Sequence, residues 1–329
     1  MKQYFRNILN PAMYHGHVVR PPFFEGWYYK LISANEAQRW AIIPGVFLGQ
    51  NEHAFVQVLN GATGQSAYHR FPLNQFWASN EKFAVKIGAN EFAEDRIRLQ
   101  IDDELGKVSG EVAFEGINPW PVRFTSPGIM GWYAWVPRME CYHGVLSLDH
   151  ELRGQLTFGH LSQSTLVDFS AGRGYIEKDW GQSFPEAWVW FQTNHFGRLG
   201  TSLTASVALI PWLGNAFRGF IIGFWHAGQL HRFATYNGAR IDSLVITDER
   251  VDLIVQRGGI HLMLRACRAE GGLLLGPTRQ EMGKRVNETL NASVEVQLTS
   301  KEGNTIFAGN GEYAGLEVHG NIDRLLKTH

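Results

Sequence analysis

Apolar and polar side chains alternate in short runs along most of the chain. RIRLQID (96–102), VSGEVAFEG (108–116), VDLIVQR (251–257), HLMLRAC (261–267) and ASVEVQLTS (292–300) repeat with period two. FEGWYYKLI (24–32), AFVQVLN (54–60) and KFAVKIG (82–88) are richer in aromatic and β-branched residues. Gly, Asn and Asp stand at the breaks. Period-two alternation bounded by turn residues predicts half-buried strands. No long stretch carries a 3.6-residue apolar period, so only a few short helices are expected, one of them near 239–245. Many short strands at turn-sized spacing predict an all-β, antiparallel protein. The apolar segment 205–225, ASVALIPWLGNAFRGFIIGFW, is interrupted by Pro211, Gly214, Asn215 and Arg218. Two strands joined by the PWLGN turn explain it better than a membrane span.

Composition narrows this picture. The 329 residues suggest two domains, and 36 Gly with 21 Phe, 11 Trp and 10 Tyr suit strands and tight turns. Thirty Lys and Arg against 31 Asp and Glu exclude a nucleic-acid footprint. At 44% hydrophobic and 19% charged the chain is not disordered. Two cysteines cannot make a disulfide scaffold. The first residues, MKQYFRNILNPAMYHGHVV, lack an apolar signal region, so a soluble cytoplasmic protein is expected.

A short internal repeat points to duplication. Phe24-Glu25-Gly26-Trp27-Tyr28-Tyr29 matches Pro185-Glu186-Ala187-Trp188-Val189-Trp190, and Glu140-Cys141-Tyr142-His143-Gly144 matches Glu312-Tyr313-Ala314-Gly315. Two β-units, 1–170 and 171–329, fit this offset. A barrel of that size can enclose one apolar ligand.

Motifs for nucleotide binding, serine hydrolysis and zinc proteolysis are absent. The glycines of 309–315 are explained as a hairpin, and His15-Gly16-His17 as a loop. No metal or cofactor is expected. A Cys141–His143 nucleophile pair lacks an orienting third group. What stands out is carboxylates set among aromatics in three segments, 21–29, 131–144 and 174–181. In extended chain, Glu25, Trp27 and Tyr29 share a face, as do Glu140 and Tyr142, and Glu177 and Asp179. Lys178 and Trp180 then lie opposite Glu177 and Asp179, while Trp188, Trp190, Gln192 and Asn194 form another face before His195. Each acid could instead be a salt bridge to Arg138, Lys178 or Arg173. A carboxyl in a dry aromatic pocket has its pKa raised and can act as a general acid. Trp and Tyr faces shelter a neighbouring cation. The pairing suits protonation of an alkene.

These stretches, PPFFEGWYYKL (21–31), GWYAWVPRMECYHGVLSLDHELRG (131–154) and GRGYIEKDWGQSFPEAWVWFQTNHF (172–196), resemble the tocopherol cyclase family. The chain is more remotely similar to carotenoid hydratase and AttH-like proteins through Glu25-Gly26-Trp27-Tyr28 and Asp179-Trp180-Gly181. The resemblance implies two tandem lipocalin-like, calycin-type antiparallel barrels. It also implies cofactor-free cyclisation of a prenylated benzoquinol to a chromanol, with hydration of an isoprenoid double bond as the variant reaction. On the matching positions, chemistry assigns Asp179 or Glu177 as proton donor, and His143 or His195 as acceptor of the phenolic proton. Glu25 and Glu140 would orient the head group, and Trp27, Tyr29, Trp132, Tyr142, Trp180, Trp188 and Trp190 would line the substrate. A carrier of lipid or quinone that does no chemistry is the alternative. A prenyl quinol resides in membrane, so peripheral contact is expected, with 211–217 as the lip.

Overall fold

The computed structural model describes residues 2–160 and 163–328. Two compact units are present, one of residues 1–184 with 273–285, the other of 185–272 with 286–329. In the first half of the chain run α1 (Lys2–Ile8), β1 (Phe23–Ile32), β2 (Arg39–Leu48), β3 (His53–Asn60), β4 (Ser66–Phe71), β5 (Phe76–Ala78), β6 (Ala84–Ile87), β7 (Asn90–Ala93), β8 (Arg96–Asp103), β9 (Gly106–Glu115), β10 (Cys141–His160), β11 (Gln163–Asp168) and β12 (Arg173–Gly181). Then follow β13 (Ala187–Thr193), β14 (His195–Phe196), β15 (Thr201–Trp212), β16 (Asn215–His226), β17 (Gln229–Ala234), β18 (Arg240–Ile246), β19 (Arg250–Arg257), β20 (Ile260–Cys267), β21 (Gly272–Pro277), β22 (Met282–Thr299), β23 (Thr305–Gly320) and α2 (Ile322–Lys327).

Every strand pair whose register is described is antiparallel, and each unit's sheet surrounds its own core. The first sheet runs β4-β3-β2-β1-β12-β10-β9-β8-β7-β6-β5, and the second β17-β16-β15-β13-β23-β22-β20-β19-β18. The two paths are the same walk. In both, an opening meander is laid down backwards and the last strand returns to lie beside its first member. Strand β1 therefore corresponds to β13, and β12 to β23. The Glu-x-Trp repeat does mark equivalent strands, but out of phase. Trp27 points into the first core, whereas Ala187, Val189 and Phe191 fill the second and leave Trp188 on the other face. The second match pairs β10 with β23, which are not equivalent strands.

Alternation explains the peripheral strands. On β8 Ile97, Leu99 and Ile101 are buried while Arg96, Arg98 and Gln100 face solvent. Strands β1, β12 and β13 are buried on both faces, so their polar residues are enclosed and must find partners. Gly154, at φ +124°, allows β10 to bend against β9, where a Cβ would come within 2.3 Å of the Glu111 carbonyl oxygen.

Two local expectations are corrected. Residues 240–246 are strand β18, not a helix, because their apolar members pair with β19 over the second core. The glycines of 309–315 lie inside β23, not in a hairpin turn; the register to β22 shifts between Thr289 and Val294, so this is a bulged strand. The PWLGN segment is the expected hairpin of β15 and β16, with Leu213 89% exposed at its tip. Among the described residues no helix is long and apolar enough to cross a membrane. The first unit also extends past the expected divide at 170, since β12 pairs with both β1 and β10.

Candidate active site

Strand β12, RGYIEKDWG, gives opposite characters to its two faces. Ile176, Lys178 and Trp180 face the first core together with Trp27 and Tyr29 of β1 and Tyr142 of β10. Tyr175, Glu177 and Asp179 face the other way, beside Tyr28 of β1 and Cys141 and His143 of β10.

On the core face a closed ion network ties down the N-terminal segment. The fully buried Lys178 ammonium lies 2.6 Å from Glu25 Oε1. It also donates to the Pro11 carbonyl at 2.8 Å, to the Met13 carbonyl, and to His15 Nδ1 at 2.9 Å. His15 Nδ1 thus accepts, and its Nε2–H donates to the Asn7 carbonyl at 3.1 Å. The ammonium sits 4.7 and 5.1 Å from the ring centres of Trp180 and Trp27. Burial lowers the Lys178 pKa to about 8 against the pull of Glu25. Burial also works against the Glu25 carboxylate, but Lys178 and His15 hold it below its ordinary range. Glu25 is therefore a committed ion-pair partner on the face away from Glu177 and Asp179.

The opposite face holds three titratable groups in contact. His143 and Asp179 are directly paired across β10 and β12, with Nδ1 to Oδ1 at 2.8 Å. His143 Nε2 lies 3.6 Å from Glu177 Oε2, and Glu177 Oε2 accepts the Tyr175 hydroxyl at 2.5 Å. Burial alone would depress the imidazolium; the carboxylates of Asp179 and Glu177 outweigh it and raise its pKa to about 9. His143 is thus an imidazolium at neutral pH. Asp179 is the most accessible of the three, its side chain 29% exposed against 14% for His143 and 6% for Glu177. Each also offers a ligand atom, all within 4.8 Å of one another, a donor set that divalent ions can take. A metal would have to displace a ring proton of His143, because a ligating nitrogen is deprotonated. As it stands, the cluster stores a proton.

Cys141 lies on this face too. Burial, then Asp179 and Glu140, push its thiol well up, so it is no nucleophile. The sequence expectations include neither Tyr28 nor Tyr175, yet Tyr28 is the cross-strand partner of Glu177.

The remaining expected residues are dispersed. Tyr29 is sealed in the first core, its hydroxyl on the Ala93 carbonyl at 3.3 Å. The Tyr142 ring stacks on Trp180, and its hydroxyl donates to the Val136 carbonyl at 2.6 Å. Glu140, just before β10, takes the Ser183 hydroxyl at 3.1 Å and lies 3.9 Å from Arg279. Trp132 is exposed in a 3₁₀ turn, Gly131–Trp135. In the second unit Trp188 and Trp190 are buried on the non-core face of β13, with Trp188 Nε1 donating to Glu317 at 2.6 Å. His195, also buried there, has Nδ1 3.0 Å from Asn194 Oδ1.

A family profile described as tocopherol cyclase-like matches residues 111–320. That span contains His143, Glu177 and Asp179 and excludes Glu25 and Trp27. The chloroplastic tocopherol cyclase of Zea mays is 30% identical over 168 residues, which cover 46% of this chain and 34% of the maize protein. The match therefore spans about a third of that relative's length. Among solved structures, CghA with Sch210972 is similar over 92% of this chain and 89% of its own, with a TM-score of 0.57 at 11% identity. An AttH-like protein of Nitrosomonas europaea is similar over 94% and 98%, with a TM-score of 0.52 at 15% identity. At these identities the likeness is one of fold.

Proposed function

The chain belongs to the tocopherol cyclase-like family, and from that premise we propose that it closes a prenylated benzoquinol to a chromanol by acid-initiated cyclisation. The observation that carries this reading is His143 set 2.8 Å from Asp179 and 3.6 Å from Glu177 on one sheet face.

In this mechanism His143 Nδ1 gives its proton to Asp179 Oδ1, and Asp179 delivers a proton to the alkene carbon nearer the ring. The tertiary cation that forms is sheltered by the Tyr28 ring and by the negative charge of Glu177, which Tyr175 keeps oriented. The quinol oxygen attacks the cation and forms the C–O bond. Its proton goes to the now neutral His143, which restores the starting state. No net proton is consumed. Holding the oxygen beside the cation gains about 7–11 kcal/mol where the geometry is ideal. Exclusion of water decides the product, because water would trap the cation as an alcohol. Trp27, Tyr29 and Trp180, on the core side of the same sheet, have no part in this scheme.

The test is anaerobic incubation with a phytyl methyl-benzoquinol, followed by chromatography and mass spectrometry. A product of unchanged mass and shifted retention, lost in Asp179→Asn, is the expected result. A product heavier by one water would make the chain a hydratase. Quinol retained by the protein without product would make it a carrier.

A further inference from the structure

One surface of the first unit exposes aromatic side chains gathered around Trp135. Tyr4, Phe5, Phe124 and Trp132 are 46, 41, 64 and 45% exposed. Trp135 organises them. It accepts the Tyr4 hydroxyl on its carbonyl at 3.0 Å, donates its indole N–H to the Phe124 carbonyl at 2.9 Å, and contacts the rings of Phe5 and Phe124. Trp132 lies three residues before Trp135 in a 3₁₀ turn, where positions i and i+3 eclipse. Reciprocal backbone hydrogen bonds between Arg123 and Ser126 close a tight turn with Phe124 at its outer end.

The charge pattern of the two segments is one-sided. Residues 1–24 and 116–139 contain no Asp or Glu, although the chain has 31 of them. Arg6, Arg123 and Arg138 are exposed. Glu140, the first acid after the second segment, faces Ser183 and Arg279. Core burial does not require aromatics to stand in water, and a solvated face would ordinarily mix charge signs.

We infer that α1 and residues 122–138 form a docking surface for an anionic lipid bilayer. Trp, Tyr and Phe settle at the headgroup level, where their rings leave water while their polar tips stay wet. Arg123 and Arg138 beside them meet lipid phosphates, and the two segments add no carboxylates of their own to repel an anionic leaflet. These residues differ from those of the β15–β16 hairpin, whose Trp212 and Leu213 the sequence suggested as the membrane lip.

The inference is independent of the proposed chemistry, because it is tested on vesicles that hold no quinol. The full chain is floated with vesicles of phosphatidylcholine alone and with vesicles containing phosphatidylglycerol. Binding that requires phosphatidylglycerol, weakens with salt, and falls at least tenfold both in Phe5→Ser/Phe124→Ser and in Arg123→Glu/Arg138→Glu is expected. The melting temperatures of both variants should match the wild type, and the charge-reversal pair keeps the test valid if the apolar pair does not fold. No flotation of the wild type, or equal flotation of folded variants, overturns the proposal. Loss of binding only in Trp212→Ser/Leu213→Ser would overturn it in favour of the hairpin. Capture of a protein partner without vesicle binding would do so as well.

Discussion

His143 and Lys178 are two buried cations with opposite duties. Lys178 is met by acceptors on every side and is structural, whereas His143 carries a proton that two carboxylates share. This difference fixes how each responds to change. The folded pKa of His143 is raised to about 9 from an ordinary 6.5. The resulting stabilisation is complete below about pH 6.5, where folded and unfolded imidazoles are both charged. It declines as pH rises toward 9, because the unfolded state gives up its proton first. Each tenfold gain in proton affinity is worth about 1.4 kcal/mol, which makes the whole effect about 3 kcal/mol. Urea melts between pH 6 and 8, below the range in which Lys178 releases its proton, should show the first part of this loss, and His143→Gln should flatten it. Turnover should fall above about pH 9 in the wild type. Lys178→Met should cost about 3–5 kcal/mol, because it strands the buried Glu25 carboxylate. Lys178→Met with Glu25→Gln should recover part of that, which a double-mutant cycle in urea would measure.

Strand β12 sorts the two duties by parity. Its alternation is legible in the sequence, and the face shared by Glu177 and Asp179 follows from extended chain alone. Which residues of β1 and β10 join each face is not legible, because that depends on register, and a one-residue slip exchanges the faces. This is why sequence alone groups Glu25 and Trp27 with the acids and passes over Tyr28, whereas Tyr175 shares the parity of Glu177 and is open to the same argument. The same limit explains the Glu-x-Trp repeat, which finds the right strands in the wrong phase. The two faces can be separated experimentally. Trp180→Ala should destabilise the protein by about 3–5 kcal/mol through the cavity it leaves beside Tyr142 and His15. Asp179→Asn should change the melting temperature far less and abolish product formation. Thermal melts and product assays on both variants would check this division. Loss of product in a folded Trp180→Ala, with Asp179→Asn active, would place the chemistry on the core side instead.

Over the whole molecule, duplication shows in topology more clearly than in residues. Both sheets follow one strand path, while the shared motifs are only a few residues long. Strand alternation reveals the all-β class, and chain length with the short repeat suggests two units, but nothing in the sequence shows that the first unit is discontinuous. Residues 273–285 belong to it. The buried Gln57 side chain donates to the Leu275 carbonyl at 2.9 Å and accepts the Leu275 N–H at 2.8 Å, and Ser66 donates to the Leu273 carbonyl at 2.7 Å. A fragment of residues 1–184 exchanges these hydrogen bonds for bonds to water, at a net cost of about 0.5–1.5 kcal/mol each. It also bares the surface that Leu275 and Met282 cover beside His53 and Tyr68. Such a fragment should melt several degrees below the first unit of the intact chain, and a peptide of residues 270–288 added in trans should raise its melting temperature. Gln57→Leu should lower the melting temperature of the intact chain, where it strands the Leu275 backbone groups, and change that of the fragment far less. An unchanged melting temperature for fragment with and without peptide would mean that residues 1–184 alone are the folding unit.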